Sequence, residues 1–188
     1  MTDGNVQDFL ISDGFIFEKR LYNKDIKEKT KRIGEEITKY YRDNNINDNI
    51  NVLTILKGAK PFSELLNNYL KFNKTNFDFR AKSYKGTTRG ELKLEKPDFE
   101  IEGKKFLIVE DIVDSGNTIK AVKECLYEKG AKDIKIVSLF KTNLCPEELK
   151  PNWFCFINNE FTIGFGLDLN DKYRDLEDIW FLKNKKVD

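Results

Sequence analysis

An α/β fold is expected for this chain: a doubly wound, mainly parallel sheet flanked by helices. Three observations predict it. Short apolar runs at residues 51–56, 106–109 and 134–140 have the pattern of strands buried on both faces. Longer segments between them carry apolar residues at helical spacing. Strands that alternate with helices in this way build a parallel sheet with helices on its faces.

The elements follow in order. Residues 23–41 place Ile26, Ile33, Ile37, Tyr40 and Tyr41 on one helical face. After the strand at 51–56, Lys57-Gly58-Ala59 reads as a turn, and Pro61 falls in the first turn of a second helix, where it is tolerated. Phe62, Leu65, Leu66, Tyr69 and Leu70 form the core face of that helix. Residues 76–83 alternate Phe77, Phe79 and Ala81 with polar residues, a strand pattern. The alternation fails at 84–90, where two glycines, two threonines and two cations make a polar loop. The strand at 106–109 is the clearest. A helix over 118–129 follows, with Gly130 as its cap, and then the strand at 134–140. Ligands bind such sheets beyond the carboxyl ends of the strands, so the residues after Leu56, Val109 and Phe140 matter most.

Composition narrows the chemistry. A length of 188 residues suits one domain, 1–188, and Lys plus Arg number 33 against 32 Asp plus Glu. That balance suggests neither a nucleic-acid binder nor an acidic tail. The start of the chain lacks the basic and apolar segments of a signal peptide, and no run of about 18 apolar residues is present. No membrane association and a cytoplasmic location are expected. Cys125, Cys145 and Cys155 form no CxxC pair, and their odd number does not suit a disulfide framework. There is no histidine, which removes Ser-His-Asp hydrolysis, a His-activated thiol and the common zinc sites. Carboxylates, lysine, arginine, backbone amides and a hard metal ion remain.

The strongest signal runs from Phe106 to Thr118. Four apolar residues end in the acid pair Glu110-Asp111; Asp114 follows, and then Ser115, Gly116, Asn117 and Thr118 open a helix. Amides at a helix N-terminus hold a phosphate dianion, a glycine lets the backbone come close, and the Ser115 and Thr118 hydroxyls add donors. Adjacent acids can accept from two ribose hydroxyls or hold magnesium. Capping of the helix by Asp114 or Ser115 would explain neither Glu110 nor Asp111.

This segment resembles the 5-phosphoribosyl diphosphate (PRPP) signature of type I phosphoribosyltransferases. Other stretches are similar to the hypoxanthine-guanine members of that family. These are Leu53 to Ala59, with Lys57 and Gly58; the loop from Ser83 and Tyr84 to Gly90; Lys150 to Phe156; and Asn159 to Leu176. The resemblance implies a type I phosphoribosyltransferase core over about 24–145, with a small base-binding hood from the N- and C-terminal segments. It implies transfer of phosphoribose from PRPP to N9 of hypoxanthine or guanine, with Mg2+ and a homo-oligomer, dimer or tetramer. By the family pattern, Glu110, Asp111 and residues 114–118 hold the ribose phosphate, and Glu110 and Asp111 also serve the metal. Lys57, Gly58 and Arg174 take the diphosphate, while Ser83 and Tyr84 begin a mobile loop that closes over the reaction centre. Lys141 donates to the 6-oxo group, Trp153 stacks on the base, the Phe154 backbone reads its edge, and Asn159 belongs to the base site. Asp114 is the expected catalytic residue, accepting or sharing the proton at purine N7 as N9 attacks.

Departures cluster around the base pocket. Cys155 replaces a glycine, and Thr142 to Pro146 lacks the arginine that usually follows the lysine; apart from these, Lys85 in the mobile loop stands where glycine is common. The reaction type therefore follows from the sequence more directly than the choice among hypoxanthine, guanine and xanthine. Two alternatives stand beside the enzyme reading: a regulator on the same fold that binds PRPP or nucleotide together with nucleic acid, and a transferase for another base.

Overall fold

The computed structural model describes residues 8–12, 14–85 and 89–185. In chain order the elements are β1 (Phe9–Ser12), β2 (Phe15–Leu21), α1 (Asn23–Asp43), β3 (Ile50–Leu56), α2 (Lys60–Asn67), β4 (Lys74–Lys85), β5 (Arg89–Leu94), β6 (Lys105–Val113), α3 (Asn117–Glu128), β7 (Asp133–Lys141), β8 (Trp153–Ile157), β9 (Thr162–Ile163) and β10 (Ile179–Lys185). The main sheet has the order β5-β4-β3-β6-β7-β8. Its strands β4, β3, β6, β7 and β8 are parallel, and β5 is antiparallel at the edge. A second, antiparallel sheet, β1-β2-β10-β9, is built from the two ends of the chain and forms a hood.

Period-two alternation explains why the central strands are apolar without interruption. Val52, Leu107, Val109, Val137 and Leu139 face α1 and α2, where Ile26, Ile33, Ile37, Phe62 and Leu66 cover them. Their neighbours Leu53, Ile55, Phe106, Ile108 and Ile136 face the other way, against Ile119, Val122 and Leu126 of α3. Each of these large side chains contributes about 1.5–3 kcal/mol when fully buried.

Three boundaries differ from the sequence expectation. Helix α2 stops at Asn67, so Tyr69 and Leu70 follow it, although Leu70 remains in the core. Strand β6 runs on to Val113, because β7 continues beside it and pairs Glu110 with Ser138 and Val113 with Lys141. The acid pair thus lies within the strand. The expected polar loop is largely a hairpin: the backbones of Tyr84 and Lys85 belong to β4 and those of Arg89 and Gly90 to β5, since ladder hydrogen bonds form regardless of side-chain polarity. Residues 86–88 of that loop, and the side chains of Ser83 and Tyr84, lie outside the described residues. Among the described residues no helix is long and apolar enough to cross a membrane.

Candidate active site

The turns after β3, β6 and β7 meet at one end of the main sheet, beneath the hood. Glu110 points inward and is 5% exposed. Burial pushes its carboxyl well above the ordinary glutamate range; the charge and side-chain hydrogen bonding of Asp111 push the same way, and the Asp111 backbone amide opposes them. Its Oε1 accepts from the Asp111 amide at 3.0 Å, and Asp111 Oδ1 accepts from the Ile112 amide at 2.8 Å. Asp111 lies against the turn after β3: a Cβ on Gly58 would stand 1.6 Å from Asp111 Oδ2. The Leu56–Lys57 peptide in this turn is cis.

Asp114 to Thr118 wrap the start of α3. No side chain caps this helix, so its first amides are left for another partner. Gly116 has φ 75° and packs on Leu149, where a Cβ would meet the Leu149 Cδ1 at 2.6 Å. The loop encloses a small cup of about 80 Å³, lined by Glu110 and residues 112–119. A larger cavity of about 490 Å³ adjoins it. This one is lined by Ile112, Asp114, Thr142 and Leu144 from below, and by residues 158–162 with Leu167 and Asp168 from the hood side. Asp114 is common to both. Its Oδ1 accepts from the Thr142 hydroxyl at 2.8 Å.

Two cations converge beside the acid pair. Lys57 Nζ lies 3.1 Å from Asp171 Oδ1, and one Arg174 nitrogen lies 3.2 Å from the same oxygen and 2.7 Å from Asp168 Oδ1. Hydrogen bonds from Lys57 and then Arg174 hold the Asp171 carboxyl below the usual aspartate range. Arg174 also donates to the Gly166 carbonyl at 2.7 Å. Gly166 in turn abuts the Gly58 carbonyl, so the segments bearing the two cations touch backbone to backbone.

The residues expected around a base are not all brought together. Asn159 lines the larger cavity, and its side chain accepts from the Asn143 amide at 2.8 Å. Lys141 ends β7 with its ammonium 4.9 Å over the Phe154 ring. Trp153 packs edge-on against Tyr40 of α1, ring centres 5.3 Å apart, and both are partly buried against the core. The aromatic ring at the cavity is Phe161, 48% exposed, with Thr162 next to it. Sequence reasoning did not single out Phe161, Asp168 or Thr142. For Phe161 the signal was present, since it lies in the Asn159-Glu160-Phe161 run. The Asn158 side chain clamps the Glu160 backbone (2.8 and 3.0 Å), and Arg20 of β2 holds the Glu160 carboxylate through two nitrogens, one at 3.0 Å. Behind Phe161 lies an apolar hollow of about 270 Å³, also lined by Phe15, Phe17, Leu169 and Leu182.

The fold is shared with known proteins. The family model described as a phosphoribosyl transferase domain matches residues 22–170. A hypoxanthine-guanine phosphoribosyltransferase of Streptococcus pyogenes is 37% identical over 89% of this chain and 94% of its own. One from Lactococcus lactis is 42% identical over 85% of this chain and 87% of its own. Among solved structures, a hypoxanthine phosphoribosyltransferase from Staphylococcus aureus superposes with TM-score 0.79 at 29% identity, covering 88% of this chain and 91% of that one. A hypoxanthine-guanine phosphoribosyltransferase from Bacillus anthracis gives 0.77 at 30%, covering 88% and 97%. Matches of this extent and identity settle the family: the chain belongs to the phosphoribosyltransferases.

Proposed function

We propose that this protein is a hypoxanthine-guanine phosphoribosyltransferase of purine salvage, joining N9 of a 6-oxopurine to the anomeric carbon of PRPP and releasing diphosphate. One observation carries the reading: Asp114 borders both the anion cup and the larger cavity, so a single carboxylate stands between a ribose phosphate and a base. In this reading the uncapped amides of α3, with Ser115 and Thr118, hold the 5-phosphate. Glu110 and Asp111 take the ribose hydroxyls. Lys57 and Arg174 exchange Asp171 for diphosphate oxygens and stabilise the leaving group as the sugar gains oxocarbenium character. Asp114 accepts or shares the N7 proton.

The described residues contain no cluster of three or more side chains able to hold a metal. The adjacent carboxylates of Glu110 and Asp111 suit Mg2+, which binds one or two carboxylates and completes its shell with water and substrate phosphate. Asp111 and Glu110 would hold it, and when bound it neutralises charge on the diphosphate. For the base, Phe161 replaces Trp153 as the stacking platform, because Trp153 is committed to Tyr40. Lys141 serves the 6-oxo group once its ammonium leaves the Phe154 ring. The free cysteines suit a cytoplasmic enzyme, here taken as a homo-oligomer acting on small molecules, with neither nucleic acid nor membrane as partner.

Nucleotide formation with Mg2+ and PRPP tests this, with hypoxanthine, guanine, xanthine and adenine offered separately. Product with hypoxanthine or guanine, abolished by chelator, is expected. No product from any purine, in a folded protein that binds PRPP, would point to a regulator or another base. Asp114→Asn should lower kcat about 100-fold or more while PRPP binding changes far less. Equal losses in both would mean that Asp114 only positions the sugar.

A further inference from the structure

We propose that Thr142 is a positioning residue for this reaction, holding the Asp114 carboxylate so that Oδ2 alone is presented to the base; the inference rests on the function proposed above. The hydroxyl of Thr142 has one proton to give. The Leu144 amide donates to Thr142 Oγ1 at 3.1 Å, and Oγ1 lies 2.8 Å from Asp114 Oδ1. With the amide occupying a lone pair, the hydroxyl proton is aimed at the carboxylate. The chain Leu144 N–H to Thr142 O–H to Asp114 Oδ1 therefore has a fixed direction.

The anchor is firmer than the group it holds. Thr142 is 8% exposed, its amide donates to the Val113 carbonyl at 3.0 Å, and β6 and β7 are paired up to Val113 and Lys141 just before it. Its β-branched side chain has few rotamers to explore. Asp114, by contrast, is exposed in the turn ahead of Gly116, and among the described residues no other hydrogen bond or ion pair engages its side chain. Without Thr142 the carboxylate would be free to rotate between the cup and the larger cavity, both of which it borders.

The test uses Thr142→Val and Thr142→Ser, each in the wild-type and the Asp114→Asn protein. Steady-state kinetics with hypoxanthine and PRPP would be supplemented by single-turnover rates where turnover is slow. Valine keeps the branched shape without the hydroxyl, and serine keeps the hydroxyl. Thr142→Val should lower kcat about tenfold with KM for PRPP changed less than about twofold, and Thr142→Ser should recover most of the loss. In the Asp114→Asn background, Thr142→Val should cost less than about twofold more, because the carboxylate it orients is gone. Full activity of Thr142→Val would overturn the inference while leaving the enzyme reading intact. So would an equal loss in both backgrounds, which would assign the effect to the turn held by the Leu144 amide. A wild-type protein that makes no nucleotide from any purine would overturn both.

Discussion

Substituting Gly166 by alanine tests whether the close packing of two backbone segments is what assembles the diphosphate site. Gly166 has φ 97°, a conformation that L side chains rarely adopt. A Cβ there would lie 2.1 Å from the Gly58 carbonyl oxygen and 2.9 Å from Pro61 Cδ, the first more than an ångström inside ordinary contact. Neither atom is the end of a flexible side chain, so the turn after β3 must move. Backbone strain of about 1–2 kcal/mol and overpacking of about 1–3 kcal/mol give a destabilisation of roughly 2–5 kcal/mol. With a urea slope of about 2 kcal/mol per molar, the unfolding midpoint should fall by about 1–2.5 M. The displaced turn carries Lys57, and through Gly58 it bears on Asp111; Gly166 itself supplies the carbonyl that anchors Arg174. A shift of about an ångström in these groups should raise KM for PRPP at least about tenfold. Urea titrations followed by tryptophan fluorescence, and PRPP saturation at fixed hypoxanthine, read the two effects. A variant with the wild-type midpoint and the wild-type KM for PRPP would refute the packing argument.

The remaining predictions bear on the cations and the hood. Asp171→Asn removes the carboxylate that Lys57 and Arg174 share, so inorganic diphosphate should bind about two- to fivefold tighter by calorimetry; weaker binding would mean that Asp171 supports the site. Phe161→Ala should raise KM for hypoxanthine about tenfold with little change in stability. Trp153→Leu should do the reverse, lowering the unfolding midpoint and sparing KM, and the opposite pattern would restore Trp153 as the platform. The hydrogen bond from Arg20 holds the Glu160 carboxyl below its ordinary range. A depressed folded-state value means that the stabilisation is complete above the unfolded glutamate value of about 4.3, and is lost as the pH falls through the lower folded one. Arg20→Ala should therefore flatten that part of the acid limb of the melting temperature, and an unchanged limb would show that the pair adds nothing.

Much of the molecule was legible along the chain. Val52 and Leu53, Leu107 and Ile108, and Ile136 and Val137 are adjacent apolar residues, and strands buried on both faces require that pattern. The turn at Lys57 to Ala59 and the run from Glu110 to Thr118 also announce themselves, because turn chemistry, helix starts and acid pairs are local. Directions and distant partners are not local. Nothing along the sequence tells Trp153 to join Tyr40 on the α1 face while Phe161 borders the cavity. The polar residues around Lys85 and Arg89 hide a hairpin whose hydrogen bonds ignore side chains. Glu110 is buried because β7 extends β6 beyond its apolar run, and that burial, absent from any local pattern, raises its carboxyl. Gly58, Asp111 and Gly166 touch only after the sheet has aligned three strand ends and the hood has folded back over them. Local periodicity and turn chemistry therefore determined the elements and the phosphate loop. The packing of sheet against hood decided which charges meet, which ring is exposed and which hydroxyl holds Asp114, because those contacts join residues tens of positions apart.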